Sequence, residues 1–223
     1  MALKGVIFDM DGVLVDSERY SLRMFKELTE ELGLEYYPDH FISIMGTTPT
    51  LADKMTEERY GVENNKKIFK LYVQRMENGY KSHLIPLKPG TYELLHYLMD
   101  NNIKMVLATS NHRNRAEMSF NQPPFNRMPF NYIVTGDMGL KSKPDPDIFI
   151  KASELIEEDI SECMVVEDSI NGARAAINAG SISVMVPDMV TPPEDVIKNI
   201  SYMKKDLYEV LLLIKQLNSD ANL

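Results

Sequence analysis

Four short apolar segments govern what this chain can fold into: KGVIFD (4–9), IKMVLATS (103–110), FNYIVTG (130–136) and CMVVED (163–168). Each is rich in Val, Ile or Met and runs out into small or polar residues. Segments that are apolar throughout, rather than alternating, are strands covered on both faces. A fifth, SISVMVP (181–187), follows Gly180. Helical stretches lie between them. Residues 90–102 carry Leu94, Leu95 and Leu98 on one face; 146–158 carry Ile148, Phe149 or Ile150, and Leu155; 169–179 open on Ser169, a natural N-cap. This alternation predicts an α/β fold built on a doubly wound parallel sheet.

Residues 17–85 break the rhythm. Residues 17–32 read as a helix with Leu22, Phe25, Leu28 and Leu32 along one stripe, and 64–80 as another with Ile68, Leu71, Tyr72 and Met76 facing inward. Between them come a turn-rich link around YYPDHF and then GTTPT, where Thr48 or Thr50 can start a further helix. No strand pattern appears. The expected organisation is a core of residues 1–16 and 86–223 with a small helical domain, 17–85, inserted after the first strand. Two Pro and one Gly within IPLKPG (85–90) suit the re-entry.

With 223 residues the chain buries roughly 70–75% of its unfolded surface, so no disulfide or structural metal is needed for folding. The single Cys163 has no internal partner and precedes MVV; a small buried hydrophobe is the expected reading. No apolar run approaches the ~20 residues of a membrane span, and the apolar part of MALKGVIFDMDG is too short for a signal peptide. The expectation is a cytoplasmic protein with no membrane and no nucleic-acid partner, monomeric. A net charge of −9 argues against nucleic acid, since a basic stripe is its footprint. A small anionic substrate remains compatible, because a metal and a few Lys or Arg reverse the field locally.

In an open parallel sheet, ligands bind beyond the carboxyl ends of the strands. Those ends read Asp9-Met10-Asp11; Thr109-Ser110-Asn111; Gly136-Asp137 leading to Lys141-Ser142-Lys143-Pro144; and Glu167-Asp168-Ser169. A single strand-end Asp usually caps a turn, and a Lys before Pro is usually a solvated loop residue. Four polar strand ends at one edge form a site. Asp9 and Asp11, two residues apart, repel each other and resist burial unless something positive sits with them. A Mg2+ ion suits: Asp9 and Asp168 offer carboxylates and Asp11 its backbone carbonyl. The Thr109 hydroxyl, the Ser110 and Asn111 amides and the Lys143 ammonium can hold phosphate oxygens. One aspartate can then attack phosphorus and the other shuttle the proton.

DMDGVLVDSE, LATSN, KSKPDPDIF and VVEDSINGARAAINAG resemble, in order, the four motifs of the haloacid dehalogenase-like phosphatase superfamily. The resemblance runs from about residue 4 to 190 and is weak in the insert. It implies Asp9 as nucleophile, Asp11 as general acid/base, Thr109 as phosphate ligand with Ser110 and Asn111 in support, and Lys143 bracing nucleophile and phosphate. It further implies that Asp168, with Glu167 beside it, holds Mg2+ together with Asp9 and Asp11. The insert is similar to the cap of the subgroup containing phosphoglycolate phosphatases and β-phosphoglucomutases. Asp11 argues for phosphoryl chemistry, because a haloalkanoic-acid dehalogenase has no use for that acid. β-Phosphoglucomutases are expected to carry a His in the first cap helix; Ser21 stands there instead, so simple hydrolysis is favoured over mutation.

The implied function is a Mg-dependent phosphatase acting on small phosphomonoesters, sugar phosphates foremost. A sugar phosphomutase of the same fold is the alternative. A phospho-accepting receiver domain fits less well, because receivers carry their Asp after a middle strand and have no insert. Within the insert, Glu18, Arg19, Arg75, Lys81 and the Gly46-Thr47-Thr48 loop are candidate substrate contacts, each also explained by ordinary helix caps, salt bridges or solvated faces. His40 and His83 read as surface residues. His112 and Arg113, after LATSN, read as exposed loop residues.

Overall fold

The computed structural model describes residues 3–45, 47, 49–121 and 123–220. Its backbone divides into two units, Met1–Asp16 with Pro86–Leu223, and Ser17–Ile85. In chain order the first unit opens with β1 (Gly5–Phe8). The second unit is entirely helical: α1 (Ser17–Glu31), α2 (Pro38–Ile44), α3 (Pro49–Tyr60) and α4 (Val62–Lys81). The first unit then resumes with α5 (Thr91–Asp100), β2 (Lys104–Thr109), α6 (Arg113–Phe120), β3 (Tyr132–Thr135), α7 (Asp147–Leu155), β4 (Cys163–Glu167), α8 (Ile170–Asn178), β5 (Ile182–Met185), α9 (Glu194–Asn199), β6 (Tyr202–Met203) and α10 (Leu207–Asp220). Among the described residues no helix is long and apolar enough to cross a membrane.

The sheet of the first unit has six strands in the order β3-β2-β1-β4-β5-β6, every pair parallel. β1 lies between β2 and β4, where successive connections run off in opposite directions, and its carboxyl end therefore faces the crevice such sheets use for ligands. Ile7, Val106 and Val165 pack with Phe149 and Ala152 of α7 and with Ala175 and Ala176 of α8. Each large buried side chain contributes about 1.5–3 kcal/mol, so strand interiors hold the fold together and leave the strand ends available to polar groups. Met10, Met105, Met164 and Met185 are buried fillers of this core. Cys163 is buried, and burial pushes its thiol up to about 12, which leaves it inert.

The sequence segments 103–110, 130–136 and 181–187 overran the strands by one or two residues at each end. β6 was not anticipated. It has two residues and pairs Val184 with Tyr202 and Met185 with Met203, so its identity comes from β5 rather than from any apolar run of its own. The chain returning through 86–91 is tied to the loop after β1: Asp16 N–H donates to Pro86 O (2.8 Å), Lys88 N–H to Leu14 O (2.9 Å), and Thr91 Oγ1 to Leu14 O (3.0 Å). Lys88 also pairs with the buried Asp188 at 2.7 Å.

The helical unit has its own core. Phe25, Phe41, Tyr60 and Ile68 pack together, with the Phe25 and Phe41 ring centroids 4.9 Å apart. Gly79 of α4 lies flat against the Tyr20 ring, where an added Cβ would come within 2.8 Å. Ser21 is buried; it accepts from Tyr72 Oη (3.0 Å) and donates to Met76 Sδ (3.3 Å). The expectation of a surface His40 is corrected. His40 is buried against Phe25 and Tyr60 and lies 3.3 Å from Thr56 Oγ1, and burial, helped by Arg59, holds its imidazole below the ordinary range. Thr56 spends its own hydrogen on Ala52 O (2.7 Å), so the imidazole N–H donates to Thr56. His83 is exposed, as expected.

Candidate active site

Asp9 is the first residue beyond β1. It is buried, and its N–H donates to Val166 O (3.0 Å) in the neighbouring strand. The loop that follows closes tightly: Leu14 and Val15 both donate to Met10 O, at 2.9 and 3.0 Å, and Gly12 N–H donates to Val15 O (2.9 Å). Gly12 is required for two reasons. Its φ is +74°, and a Cβ there would sit 2.0 Å from Asp168 Oδ2. The glycine of the DMDG stretch is thus what lets the β1 loop close against the carboxylate at the end of β4.

Lys143 reaches this point from the loop before α7. Its Nζ donates to Asp9 Oδ1 and to Glu167 Oε1, both at 2.5 Å, and lies 4.8 Å from the centre of the Phe149 ring. Glu167 is fully buried. Its other oxygen, Oε2, accepts from Asp168 N–H (3.0 Å), Ser169 N–H (3.2 Å) and Ser169 Oγ (3.1 Å). Ser169 caps α8 by accepting from Gly172 N–H (3.0 Å). A Cβ at Gly172 would fall 1.9 Å from the Glu167 carboxylate. The small residue four positions after ED in EDSINGA is therefore explained by the carboxylate folded back onto the first turn of the helix.

Asp9, Glu167 and Asp168 each present a ligand atom within 4.8 Å of the others. The Lys143 ammonium pairs with two of these carboxylates, Asp9 and Glu167. Burial pushes the Asp9 carboxyl up to about 7; Lys143 opposes the rise, and Glu167 and Asp11 add to it. Burial also works against the Lys143 charge, but Asp9 and Glu167 outweigh it and hold the ammonium above the ordinary lysine range. A buried all-oxygen donor set with surplus negative charge fits a hard divalent cation.

On the β2 side, Thr109 is buried and level with Thr135 of β3. Its Oγ1 accepts from Asn111 N–H (3.1 Å). Asn111 O accepts from Gly136 N–H (3.0 Å), and Gly136 has no room for a side chain, since a Cβ would meet Ser110 O at 2.1 Å. Asn111 Nδ2 makes a short hydrogen bond to Asp11 Oδ2, and Asn111 Oδ1 accepts from Arg115 Nη1 (2.6 Å). Ser110 is exposed.

The structure thus gathers Asp9, Lys143, Glu167 and Asp168 at one point and ties Asp11 to Asn111. Sequence reasoning passed over two residues. Phe149, taken only as a possible inward face of its helix, underlies the Lys143 ammonium. Arg115 lies one helical turn beyond Asn111, and that i, i+4 spacing was the available signal. His112 and Arg113 are exposed, with side-chain exposures of 74% and 54%, and pair with Asp137 and Glu117. In the helical unit, Arg75 is paired with Glu31 and Lys81 with Glu77. Glu18 is half-buried and lines a cavity of about 290 Å³ walled by Phe25, Phe41, Ile68 and Tyr72, and Arg19 is exposed. Gly46 and Thr48, from the anticipated loop, lie outside the described residues, as do the last three residues of NSDANL.

Residues 6–186 match the sequence model of the family described as haloacid dehalogenase-like hydrolase. The chain is 30% identical over 178 residues to a phosphorylated carbohydrates phosphatase of Thermotoga maritima, covering 80% of this chain and 82% of that protein. It is likewise 30% identical to the β-phosphoglucomutase of Bacillus subtilis, over 82% of this chain and 83% of the other. A HAD hydrolase of family IA, variant 3, from Entamoeba histolytica superposes with a TM-score of 0.76 at 25% identity, covering 95% of this chain and 99% of that one.

Proposed function

The chain belongs to the haloacid dehalogenase-like hydrolases, and from that premise we propose that it is a magnesium-dependent phosphatase of small phosphomonoesters, sugar phosphates foremost, acting through an aspartyl-phosphate on Asp9. The observation that carries the reading is the buried cluster of Asp9, Glu167, Asp168 and Lys143 beyond the ends of β1 and β4.

In this reading an Asp9 carboxylate oxygen attacks phosphorus, and the bond from phosphorus to the leaving oxygen breaks. Asp11 gives its proton to that oxygen, and the alcohol departs. Water then attacks the aspartyl-phosphate, its proton passes to Asp11, and the bond from phosphorus to Asp9 breaks, regenerating both residues. Thr109 Oγ1 and the backbone amides after it hold the phosphate oxygens, and Lys143 balances the charge that grows on them. Glu167, with one oxygen on Lys143 and the other on the amides that start α8, keeps the ammonium in place. Asp9 and Asp168 carboxylates and the Asp11 carbonyl would hold Mg2+, which when bound neutralises phosphate charge and keeps Asp9 ionised.

The pH dependence of metal binding follows. The metal-free Asp9 holds a proton up to about pH 7, whereas an unfolded aspartate loses it near 4. The proton and the cation compete for one carboxylate. Magnesium affinity is expected to rise about tenfold per pH unit between roughly 5 and 7 and to level off above. By the same linkage, this group's contribution to metal-free stability is present below pH 4 and lost as pH rises to 7, so magnesium stabilises most at alkaline pH. Isothermal titration in two buffers of different ionisation heat measures the released proton; affinity that is flat across this window contradicts the assignment.

The mutase alternative draws on the B. subtilis relative. Against it, Ser21 occupies the place of the expected cap histidine and is committed to Tyr72 and Met76 inside the helical unit. A panel of sugar phosphates, phosphoglycolate and nucleotides, assayed for phosphate release with and without magnesium, tests the proposal. The expected outcome is magnesium-dependent release, greatest from sugar phosphates. Isomer formation primed by a bisphosphorylated sugar, without net release, would instead establish the mutase.

A further inference from the structure

We propose that the cavity inside the helical unit is a binding site for an organic ammonium ion, a protonated amine carried on an apolar body about the size of an aromatic ring. The inference goes beyond the phosphatase reading and does not rest on it.

The cavity, about 290 Å³, is close to the lower bound of small-molecule sites, about 300 Å³. All four helices of the unit contribute to its wall. Phe25, Phe41 and Ile68 make most of its surface apolar, and Phe69, which is 61% exposed, adds an aromatic face that the core of the unit does not use. The polar groups in the wall have spent their hydrogens elsewhere. Thr56 Oγ1 donates to Ala52 O (2.7 Å) and Tyr72 Oη to Ser21 Oγ (3.0 Å). Asn65 Nδ2 donates to Asp53 Oδ1 (2.7 Å) and to Asp53 O (3.4 Å). A carboxylate accepts only, so this pairing fixes the orientation of the Asn65 amide and turns its oxygen away from Asp53. Asn65 is 4% exposed, and among the described residues no donor reaches its Oδ1. The wall therefore offers acceptors: the Asn65 oxygen and the carboxylates of Asp53 and Glu18. Among the described residues that form it there is no Lys, Arg or His.

Such a wall selects by charge. An anion, phosphate included, would meet carboxylates and ring faces, both negative toward it, with no side-chain donor in return. A neutral alcohol has one hydrogen to give. An ammonium has three, which suit the Asp53 carboxylate, already held in place by Asn65, and the Asn65 oxygen beside it. Its charge is further favoured by the aromatic faces, and its apolar body by Phe25, Phe41 and Ile68.

Titration calorimetry of the full chain at pH 7 with 2-phenylethylammonium, 2-phenylethanol and phenylacetate tests this, since the three differ in charge and little in size. The ammonium is expected to bind about tenfold or more tighter than the alcohol, and the carboxylate to bind weakest. Asp53→Asn keeps an acceptor for Asn65 while removing the charge. It is expected to bring the ammonium within about threefold of the alcohol and to leave the alcohol's own affinity unchanged. Ala52→Phe, which fills the cavity from α3, is expected to weaken the ammonium about tenfold or more. Thermal unfolding without ligand shows whether each variant is folded; Ala52→Leu, a smaller plug, takes the place of Ala52→Phe if that one is not. Binding of none of the three compounds, equal binding of all three, or phenylacetate binding as tightly as the ammonium overturns the inference. So does an ammonium preference left intact in Asp53→Asn, or ammonium affinity unchanged in the folded plugged variant, which places the site outside the cavity.

Discussion

Asp9→Asn is expected to abolish phosphate release from every substrate, a loss of roughly ten-thousand-fold or more. The substitution changes almost no volume, so the β1 loop and the Lys143–Glu167 pair remain. What disappears is the carboxylate oxygen proposed as the nucleophile, because an amide does not displace an alcohol from phosphorus at a useful rate. Stability should move the other way. Burial makes the ionised Asp9 unfavourable in the metal-free protein above pH 7, so the neutral asparagine is expected to leave the metal-free thermal midpoint at pH 8 unchanged or raised. Paired measurements of turnover and of unfolding at pH 8 with a chelator check both signs. Wild-type protein should also form a beryllofluoride adduct visible by fluorine NMR, and the variant should not. Turnover surviving in the variant would move the nucleophile elsewhere.

Lys143→Met is expected to damage both fold and catalysis. The side chain is only 9% exposed and is the cation closest to Asp9 and Glu167, at 2.5 Å from each. Removing one partner from a buried ionic cluster leaves uncompensated charge and costs about 3–5 kcal/mol. Phosphate release should fall about a hundred- to a thousandfold, because charge growing on the transferring group loses its nearest fixed donor. The loss has a pH signature. Without the ammonium, nothing at short range opposes the rise of the Asp9 carboxyl, so the metal-free variant should be more stable at pH 5 than at pH 8, and added magnesium should restore part of the difference. Urea unfolding at the two pH values, with and without magnesium, reads this directly. Lys143→Arg should recover stability more than activity, since a planar fork does not replace a compact ammonium shared between two carboxylates and a phosphate.

Much of the core was legible because parallel strands covered on both faces leave an unbroken apolar signature. β1, β2 and β4 are such runs, and Asp9, Thr109 and Glu167 follow or end them. The spacing of α5, α7 and α8 was likewise readable, because each buries one face on the sheet. Less legible were elements whose reason lies elsewhere in the chain. β6 exists because β5 offers an open edge, and two residues carry no periodicity. α2, α6, α9 and α10 went unassigned, and α2 begins inside YYPDHF, the stretch read as a turn-rich link. In α6, the stretch HRNRAEMSF has too few apolar positions to mark a face, and only Ala116, Ser119 and Phe120 are buried. His40 misled for the opposite reason: it lies in a polar segment, and its burial comes from Phe25 and Tyr60 fifteen and twenty residues away.

The order of residues along the chain determined which chemical groups stand at the strand ends, since a parallel strand delivers its last residue to the same edge whatever surrounds it. Only the tertiary structure decided how those groups divide their hydrogen bonds. Glu167 folds back onto α8, Lys143 rests on Phe149, and the Asn111 amide links Arg115 to Asp11. Donor and acceptor assignments of this kind depend on separations of a few ångströms between residues up to about a hundred positions apart, and no local pattern encodes such distances.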